Sequence, residues 1–168
     1  MLDFGIPGYR PVWLNNRTDI VREHAHRLRA LTGRTLTRVW MLWNRQDNEW
    51  FRDCPVLFDF DGEQAEINHH KFDEVSLTWN TIDPQLPARW PGFDLQWRAE
   101  PVTELAALQG LPLQGVELLE WTGDDPAQGT VDISFLFHAS RVTVFNAFDE
   151  NGLSFAPPDQ RQRPHTLN

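Results

Sequence analysis

The pair Asp61-Gly62 most constrains the fold, because alternating apolar side chains stand on both sides of it. The apolar members of the two runs are Val56, Phe58, Phe60, Ala65 and Ile67. Asp-Gly tolerates the positive φ angles of a type I′ turn, so the pattern predicts a β-hairpin. With a two-residue loop, Phe58 faces Ala65 and all the apolar side chains share one face of the sheet.

The segments on either side of this hairpin are rich in tryptophan and also have strand patterns. From Val39 to Trp43 both alternating sets are apolar, which is typical of a strand that is covered on both faces. In the run Val75 to Trp79 only alternate residues are apolar, which predicts one buried face. We therefore interpret residues 35–82 as the middle of an antiparallel sheet.

A helix is predicted before this sheet. Asn16 or Thr18 can cap its start, and Gly33 can end it. Its apolar residues recur at helical spacing and are Ile20, Val21, Ala25, Leu28 and Leu31. We expect this stripe to pack against one face of the sheet.

The C-terminal half predicts a short helix from Pro101 to Gln109 and several further strands. Two of these strands flank Ala139-Ser140, and a loop centred there places Phe135 opposite Val144. Asn151-Gly152 is a second turn signal. Residues 156–168 have no apolar pattern, so a flexible tail is expected there.

Together these patterns predict a single α+β domain over residues 1–155. Its large, mostly antiparallel meander sheet, open or curled, is packed by the N-terminal helix and the short helix. A length of 168 residues is sufficient for one core without disulfide support. The single cysteine, Cys54, cannot form an internal disulfide.

Charge is distributed unevenly along the chain. Residues 1–52 contain nine Arg and five acidic residues, hence +4, whereas residues 53–168 contain six basic and nineteen acidic residues, hence −13. This imbalance is typical of a soluble acidic surface, and it also fits an acidic face that recognises a basic partner; charge alone does not distinguish the two. It does not favour nucleic acid, for which Arg22, Arg29, Arg34 and Arg38 offer the one basic candidate region. No apolar run reaches membrane-spanning length and no signal-peptide pattern is present, so we expect a cytoplasmic protein that does not enter a membrane.

Several contiguous catalytic motifs are absent from the sequence. It has no glycine-rich phosphate loop, no G-x-S-x-G elbow and no H-E-x-x-H. His69 and His70, with Asp73 and Glu74, form the best metal candidate, but adjacent residues of an extended chain point in opposite directions. Cys54 lies beside a carboxylate, which disfavours a reactive thiolate. No cofactor or metal is predicted, and a non-catalytic protein is favoured over an enzyme.

The residues most suited to contact a partner are acids of the first hairpin and tryptophans near strand ends. This candidate partner surface consists of Asp59, Asp61, Glu66, Trp43 and Trp50. Trp90 is also expected to be half exposed. The other strand tryptophans, Trp40, Trp79 and Trp97, are expected in the core.

One pattern in the chain resembles small bacterial domains of uncharacterised function. It consists of Val39-Trp40, Pro55-Val56-Leu57, Glu66-Ile67, the run Thr78 to Asp83 and the run Asn146 to Gly152. In size, acidity and α+β order the chain is also similar to cytoplasmic immunity proteins, which neutralise secreted toxins. This resemblance implies a protein that inhibits a basic toxin by binding it, and it carries over no individual functional residue.

Two hypotheses follow from the sequence. The first is a non-catalytic protein that binds another protein, or a second copy of itself, with an immunity-type inhibitor as one form. The second is a small enzyme or ligand-binding domain whose pocket is lined by tryptophans and carboxylates.

Overall fold

The structure is a computed structural model that describes residues 3–168, and these form two helices and twelve strands. The helices are α1 (Arg17–Ala30) and α2 (Thr103–Leu108). The strands, in chain order, are β1 (Trp13–Leu14), β2 (Leu36–Asn44), β3 (Glu49–Trp50), β4 (Val56–Phe60), β5 (Glu63–His70), β6 (Glu74–Trp79), β7 (Leu95–Ala99), β8 (Gly115–Trp121), β9 (Val131–Phe137), β10 (Ser140–Asn146), β11 (Asn151–Ser154) and β12 (Gln162–Leu167).

The strands divide into two antiparallel sheets. The larger sheet has seven strands in the order β1-β6-β5-β4-β2-β3, with β7 also paired to β2. The smaller sheet has five strands in the order β11-β10-β9-β8-β12. The predicted α+β class with a large antiparallel sheet is therefore confirmed. The C-terminal strands form a second sheet of their own, which the sequence did not indicate.

The first hairpin has the predicted register. Phe58 lies opposite Ala65 and Val56 lies opposite Ile67. Asp61 and Gly62 both have positive φ, at 56° and 92°, as a type I′ turn requires. The Asp59 side chain accepts a hydrogen bond from the Gly62 N–H at 2.7 Å and fixes the turn.

Helix α1 also begins as the sequence predicts. The Asn16 side chain accepts a hydrogen bond from the Asp19 N–H at 2.8 Å, which satisfies a free donor of the first turn. The buried residues of the helix include Ile20 and Leu28, which join the main core. The helix packs against β8 and β12. Neither helix among residues 3–168 has both the length and the apolar character needed to cross a bilayer.

The larger sheet is buried on both faces. One face packs against the smaller sheet, where the rings of Phe58 and Phe60 lie 4.9 and 5.0 Å from the ring of Phe135. The opposite face carries Leu42 and Leu57 under the N-terminal segment and the segment between β6 and β7. Phe4, Ile6, Tyr9, Ile82 and Ala88 supply this second apolar layer.

Two turn predictions for the C-terminal half are wrong in position. The β9–β10 turn is His138-Ala139, so Phe135 lies opposite Val142 and not Val144. A shift of two residues leaves every side chain on its face, so alternation could not distinguish the two registers. Asn151-Gly152 is part of β11, and the turn before it covers residues 147–150.

The flexible tail expected over residues 156–168 is contradicted at its C-terminal part. Residues 162–167 form β12, which pairs with β8 along its whole length, and Leu167 is buried in the core. The edge position of β12 tolerates Pro164, which has no N–H to donate. Backbone pairing creates this strand, and it needs no alternating apolar pattern.

Candidate functional site

The five residues of the predicted partner surface do not form one surface. In the β2–β4 strand pairing, Asp59 lies opposite Arg38, near one end of β2. Trp43 lies five residues further along β2, about 17 Å away. The two side chains also point to opposite faces, since Asp59 alternates with the buried Phe58 and Trp43 shares the face of Met41. Asp61 is exposed at the hairpin turn, in the same region as Asp59.

Trp43 and Trp50 are half-buried and are covered by arginine. The Arg98 guanidinium lies 5.4 Å from the Trp43 ring, and the Arg52 guanidinium lies 4.6 Å from the Trp50 ring. Their immediate neighbours are therefore basic, whereas an acidic setting was expected. Trp97 is buried as predicted, while Trp40 and Trp79 are partly exposed.

The assignment of Glu66 to a partner surface is wrong, because its side chain is fully buried. Gln64 Nε2, the Thr78 hydroxyl, and the backbone N–H groups of Thr81 and Ile82 donate hydrogen bonds to its carboxyl group at 2.6 to 2.9 Å. The Thr81 hydroxyl donates a further one. Glu66 thus holds the segment after β6 over the sheet.

The histidine pair of β5 does not converge on one point. His69 is buried and its Nε2–H donates to the Val144 carbonyl at 3.2 Å, while burial lowers the pKa of His69 to about 4. His70 points the other way and contacts Glu74 at 2.8 Å. Within residues 3–168 no group of three His, Cys, Asp or Glu side chains is arranged to hold a metal ion. Cys54 is fully buried, and burial raises the pKa of its thiol, with Asp53 adding to the effect.

A cavity of about 740 Å³ lies on the face of the smaller sheet that points away from the core. Its position follows from strand alternation: Ile133 and Val144 point into the core, so Asp132 and Phe145 point to this outer face. We call it the outer-face cavity. Its lining residues are Phe72, Leu119, Trp121, Asp125, Pro126, Ala127, Thr130, Asp132, Thr143, Phe145, Asn146, Phe148, Ser154, Ala156, Pro157, Pro158, Asp159 and Gln162. This volume is within the range of small-molecule sites.

Asp132 is the most strongly perturbed polar group of the cavity. Its carboxyl accepts hydrogen bonds from the Asn146 N–H at 3.3 Å and from Gln162 Nε2 at 2.9 Å. Burial raises the pKa of Asp132 to about 7, because the two hydrogen bonds offset only part of the desolvation. Functional sites commonly contain a carboxyl group whose pKa is shifted towards neutrality.

The rim of the cavity carries two exposed phenylalanines, one in the β5–β6 turn of the larger sheet and one in the β10–β11 turn of the smaller sheet. Phe72 is 61% exposed and Phe148 is 80% exposed, and their rings contact edge to face at 6.3 Å. Phe148 and Asp149 have φ values of 64° and 68°, a conformation that is rare and unfavourable for a bulky residue. The turn is held by Lys71, whose carbonyl accepts hydrogen bonds from Asp149 N–H and from the Asn146 side chain.

The cavity also depends on the absence of a side chain at Gly152. A Cβ atom at this position would lie 2.3 to 2.7 Å from ring atoms of Phe145. Glycine therefore leaves room for the Phe145 ring beside β11, where the ring forms part of the wall.

A second, smaller cavity of about 370 Å³ lies beside Trp40 and Trp97. Its lining includes Arg45 and the prolines Pro84 and Pro87, and no carboxylate. It therefore has the tryptophans of the pocket predicted from the sequence but lacks the carboxylates. The outer-face cavity has that chemistry, with Trp121 and three aspartates.

Sequence reasoning did not identify the outer-face cavity. The available signals were Phe145 and Trp121, large apolar residues at positions that alternate with core residues. The sequence did not indicate that Gln162 lines a cavity, since it lies in the segment expected to be a flexible tail. Comparison of the chain with protein-family models, with curated proteins and with solved structures finds no match.

Proposed function

We propose that the protein is a ligand-binding protein whose site is the outer-face cavity. The observation that carries this proposal is the half-buried Asp132 carboxyl, which has no counter-ion among residues 3–168, within an otherwise largely apolar, aromatic-walled cavity of about 740 Å³. A concave apolar site with a few convergent polar groups is the usual form of a small-molecule site. The exposed Phe72 and Phe148 at its rim support the same proposal, because exposed aromatic side chains contribute binding energy when a ligand covers them.

The composition of the lining favours binding over catalysis. Asp132 could serve as a general acid or base, since its pKa of about 7 suits that role. In the part of the chain that the structure describes, the lining contains no histidine, cysteine or lysine that could act with it as nucleophile or second acid–base group.

The hypothesis of a protein partner, including an immunity-type inhibitor of a basic toxin, stays a prediction from the sequence. The residues proposed for its surface are either buried, as Glu66 is, or separated on two faces of the larger sheet. The geometry therefore favours the cavity.

The test is a fluorescence titration with N-phenylnaphthylamine, a neutral dye that brightens in apolar surroundings. We expect saturable binding to the wild-type protein. Ala156→Trp, which places an indole in the cavity from an exposed lining position, is expected to abolish the saturable signal. Phe148→Ala is expected to weaken binding by about tenfold, the effect of losing one covered aromatic ring.

Phe93→Ala is the matched control, because Phe93 is an exposed phenylalanine that does not line the cavity. It should bind the dye as the wild type does. Dye binding that Ala156→Trp leaves unchanged would contradict the proposed site.

A further inference from the structure

The carboxyl group of Asp132 has spare capacity to accept hydrogen bonds. Asn146 N–H and Gln162 Nε2–H occupy one site on each oxygen, and a carboxylate has about four such sites. Among the ion pairs of residues 3–168, none joins Asp132 to an Arg, Lys or His. The cavity thus contains a carboxyl group without a counter-ion from the protein.

The remaining charged groups near the cavity already have partners. Asp125 accepts hydrogen bonds from Trp121 Nε1 at 2.9 and 3.0 Å. Asp159 pairs with Arg161 at 3.2 Å, and the Arg161 guanidinium also lies over one face of the Trp121 ring, 4.6 Å from its centre.

Two more cations lie close by and are also paired. Arg141, on the same face of the smaller sheet, is 3.1 Å from Glu117. Lys71, next to the rim residue Phe72, is 3.2 Å from Glu74. Neither of these cations lines the cavity. The lining itself contains three carboxyl groups and no cationic side chain.

The aromatic walls complement the same kind of charge. Trp121, Phe145 and Phe148 line the cavity together with Asp132. The faces of aromatic rings attract cations, and this attraction is strongest where water is excluded. The cavity therefore offers an anionic group and aromatic faces to one ligand.

We propose that the outer-face cavity binds a small amine in its protonated form, carried on an apolar or aromatic body, with Asp132 as the counter-ion. This inference rests on the proposed ligand-binding function and adds the chemical class of the ligand. The ammonium group donates hydrogen bonds to the free sites of the Asp132 carboxylate. The apolar body lies against Leu119 and Phe145, and the rim phenylalanines cover it.

The experiment compares three probes of nearly equal shape by calorimetric titration at about pH 8: phenylbutylamine, phenylbutanol and phenylbutyrate. We expect the amine to bind at least about tenfold more tightly than the alcohol, because its ammonium–carboxylate hydrogen bonds are charge-assisted. The carboxylate probe should bind more weakly than the alcohol. Binding of the amine should weaken as the pH falls below about 7, where Asp132 becomes protonated.

Asp132→Asn is expected to reduce the affinity for the amine to about that for the alcohol. The substitution preserves the side-chain shape, and the asparagine Oδ1 can still accept the hydrogen bond from Asn146 N–H. Asp124→Asn removes an exposed charge from the adjacent loop, outside the lining, and should retain the preference for the amine. The pH dependence of amine binding to the wild type also tests whether the Asp132 carboxylate is the counter-ion, without any substitution.

Equal binding of amine and alcohol to the wild type would overturn the amine proposal and leave the ligand site in place. Failure of all three probes, together with failure of the neutral dye, would remove both proposals. A capped lysine peptide that binds more tightly than phenylbutylamine would also overturn the proposal, since it would indicate a basic protein as the occupant.

Discussion

Two buried polar residues, Glu66 and Asn151, connect parts of the chain that are distant in sequence. The two hydrogens of the Asn151 side-chain amide are shared among the carbonyls of Arg52 and Cys54 and Asn68 Oδ1, and its oxygen accepts from His69 N–H. It thereby joins β11 of the smaller sheet to the larger sheet. A buried polar side chain must satisfy its hydrogen bonds. Asn151, which the sequence pattern assigned to a turn, does so by hydrogen bonding from the smaller sheet to the larger one.

At this scale we predict that Glu66→Gln lowers the free energy of unfolding by about 2–3 kcal/mol. The hydrogen bonds that the backbone N–H groups of Thr81 and Ile82 now make to a carboxylate would become weaker neutral ones, and the Thr78 and Thr81 hydroxyls would have to rotate to accept from the new NH₂ group. Urea denaturation measures the change, and Glu104→Gln is the control because Glu104 is exposed on α2. Equal stability of the two variants would contradict a structural role for Glu66.

At the scale of elements, β12 determines both the extent of the smaller sheet and one wall of the cavity. It covers the edge of β8 and brings Gln162 to Asp132. The turn between β10 and β11 has a comparable role on the opposite side, because it presents Phe148 while Lys71 of the β5–β6 turn holds it. Loops and edge strands positioned by a rigid sheet commonly carry binding residues.

We predict that Leu167→Ala lowers the free energy of unfolding by about 2–5 kcal/mol, the usual cost of removing a buried leucine side chain. Leu167 is 5% exposed and packs in the main core. The measurement is again urea denaturation, with Leu86→Ala as control, since Leu86 is 45% exposed. A flexible tail would make Leu167→Ala as harmless as the control.

At the scale of the whole molecule, two titratable groups on opposite faces of the smaller sheet, the buried His69 and the half-buried Asp132, have opposite effects on stability. His69 Nε2 contacts Val144, which points into the core, whereas Asp132 faces the outer cavity. Burial disfavours the charged form of each group. Burial therefore lowers the pKa of His69 to about 4 and raises the pKa of Asp132 to about 7.

The sign of each contribution follows from which state binds more protons. Between about pH 4 and 6.5 the unfolded chain protonates His69 and the folded protein does not, so stability rises with pH by about 3 kcal/mol from this group. Between about pH 4 and 7 the folded protein keeps the Asp132 proton that the unfolded chain loses, so stability falls with pH.

The two slopes oppose each other in the wild type, and single substitutions should separate them. In the Asp132→Asn variant, stability is expected to rise with pH between about pH 4 and 7. In the His69→Phe variant, stability is expected to fall over the same interval. Urea unfolding at several pH values measures both slopes. His26→Gln, at an exposed position of α1, should keep the wild-type profile. A slope unchanged by either substitution at Asp132 or His69 would contradict the burial argument for that group.

The sequence alone determined the features that depend on neighbouring residues. The Asp61-Gly62 hairpin and its register, the Asn16 cap of α1 and the α+β class follow from turn chemistry, alternation and capping, which act within a few residues. Only the tertiary structure decided the division into two sheets, the strand at residues 162–167 and the outer-face cavity. Those features depend on backbone pairing and hydrogen bonds between segments that are distant in the sequence, such as the bond from Asn151 to Arg52, 99 residues apart. A local side-chain pattern does not indicate which distant segment will be the partner.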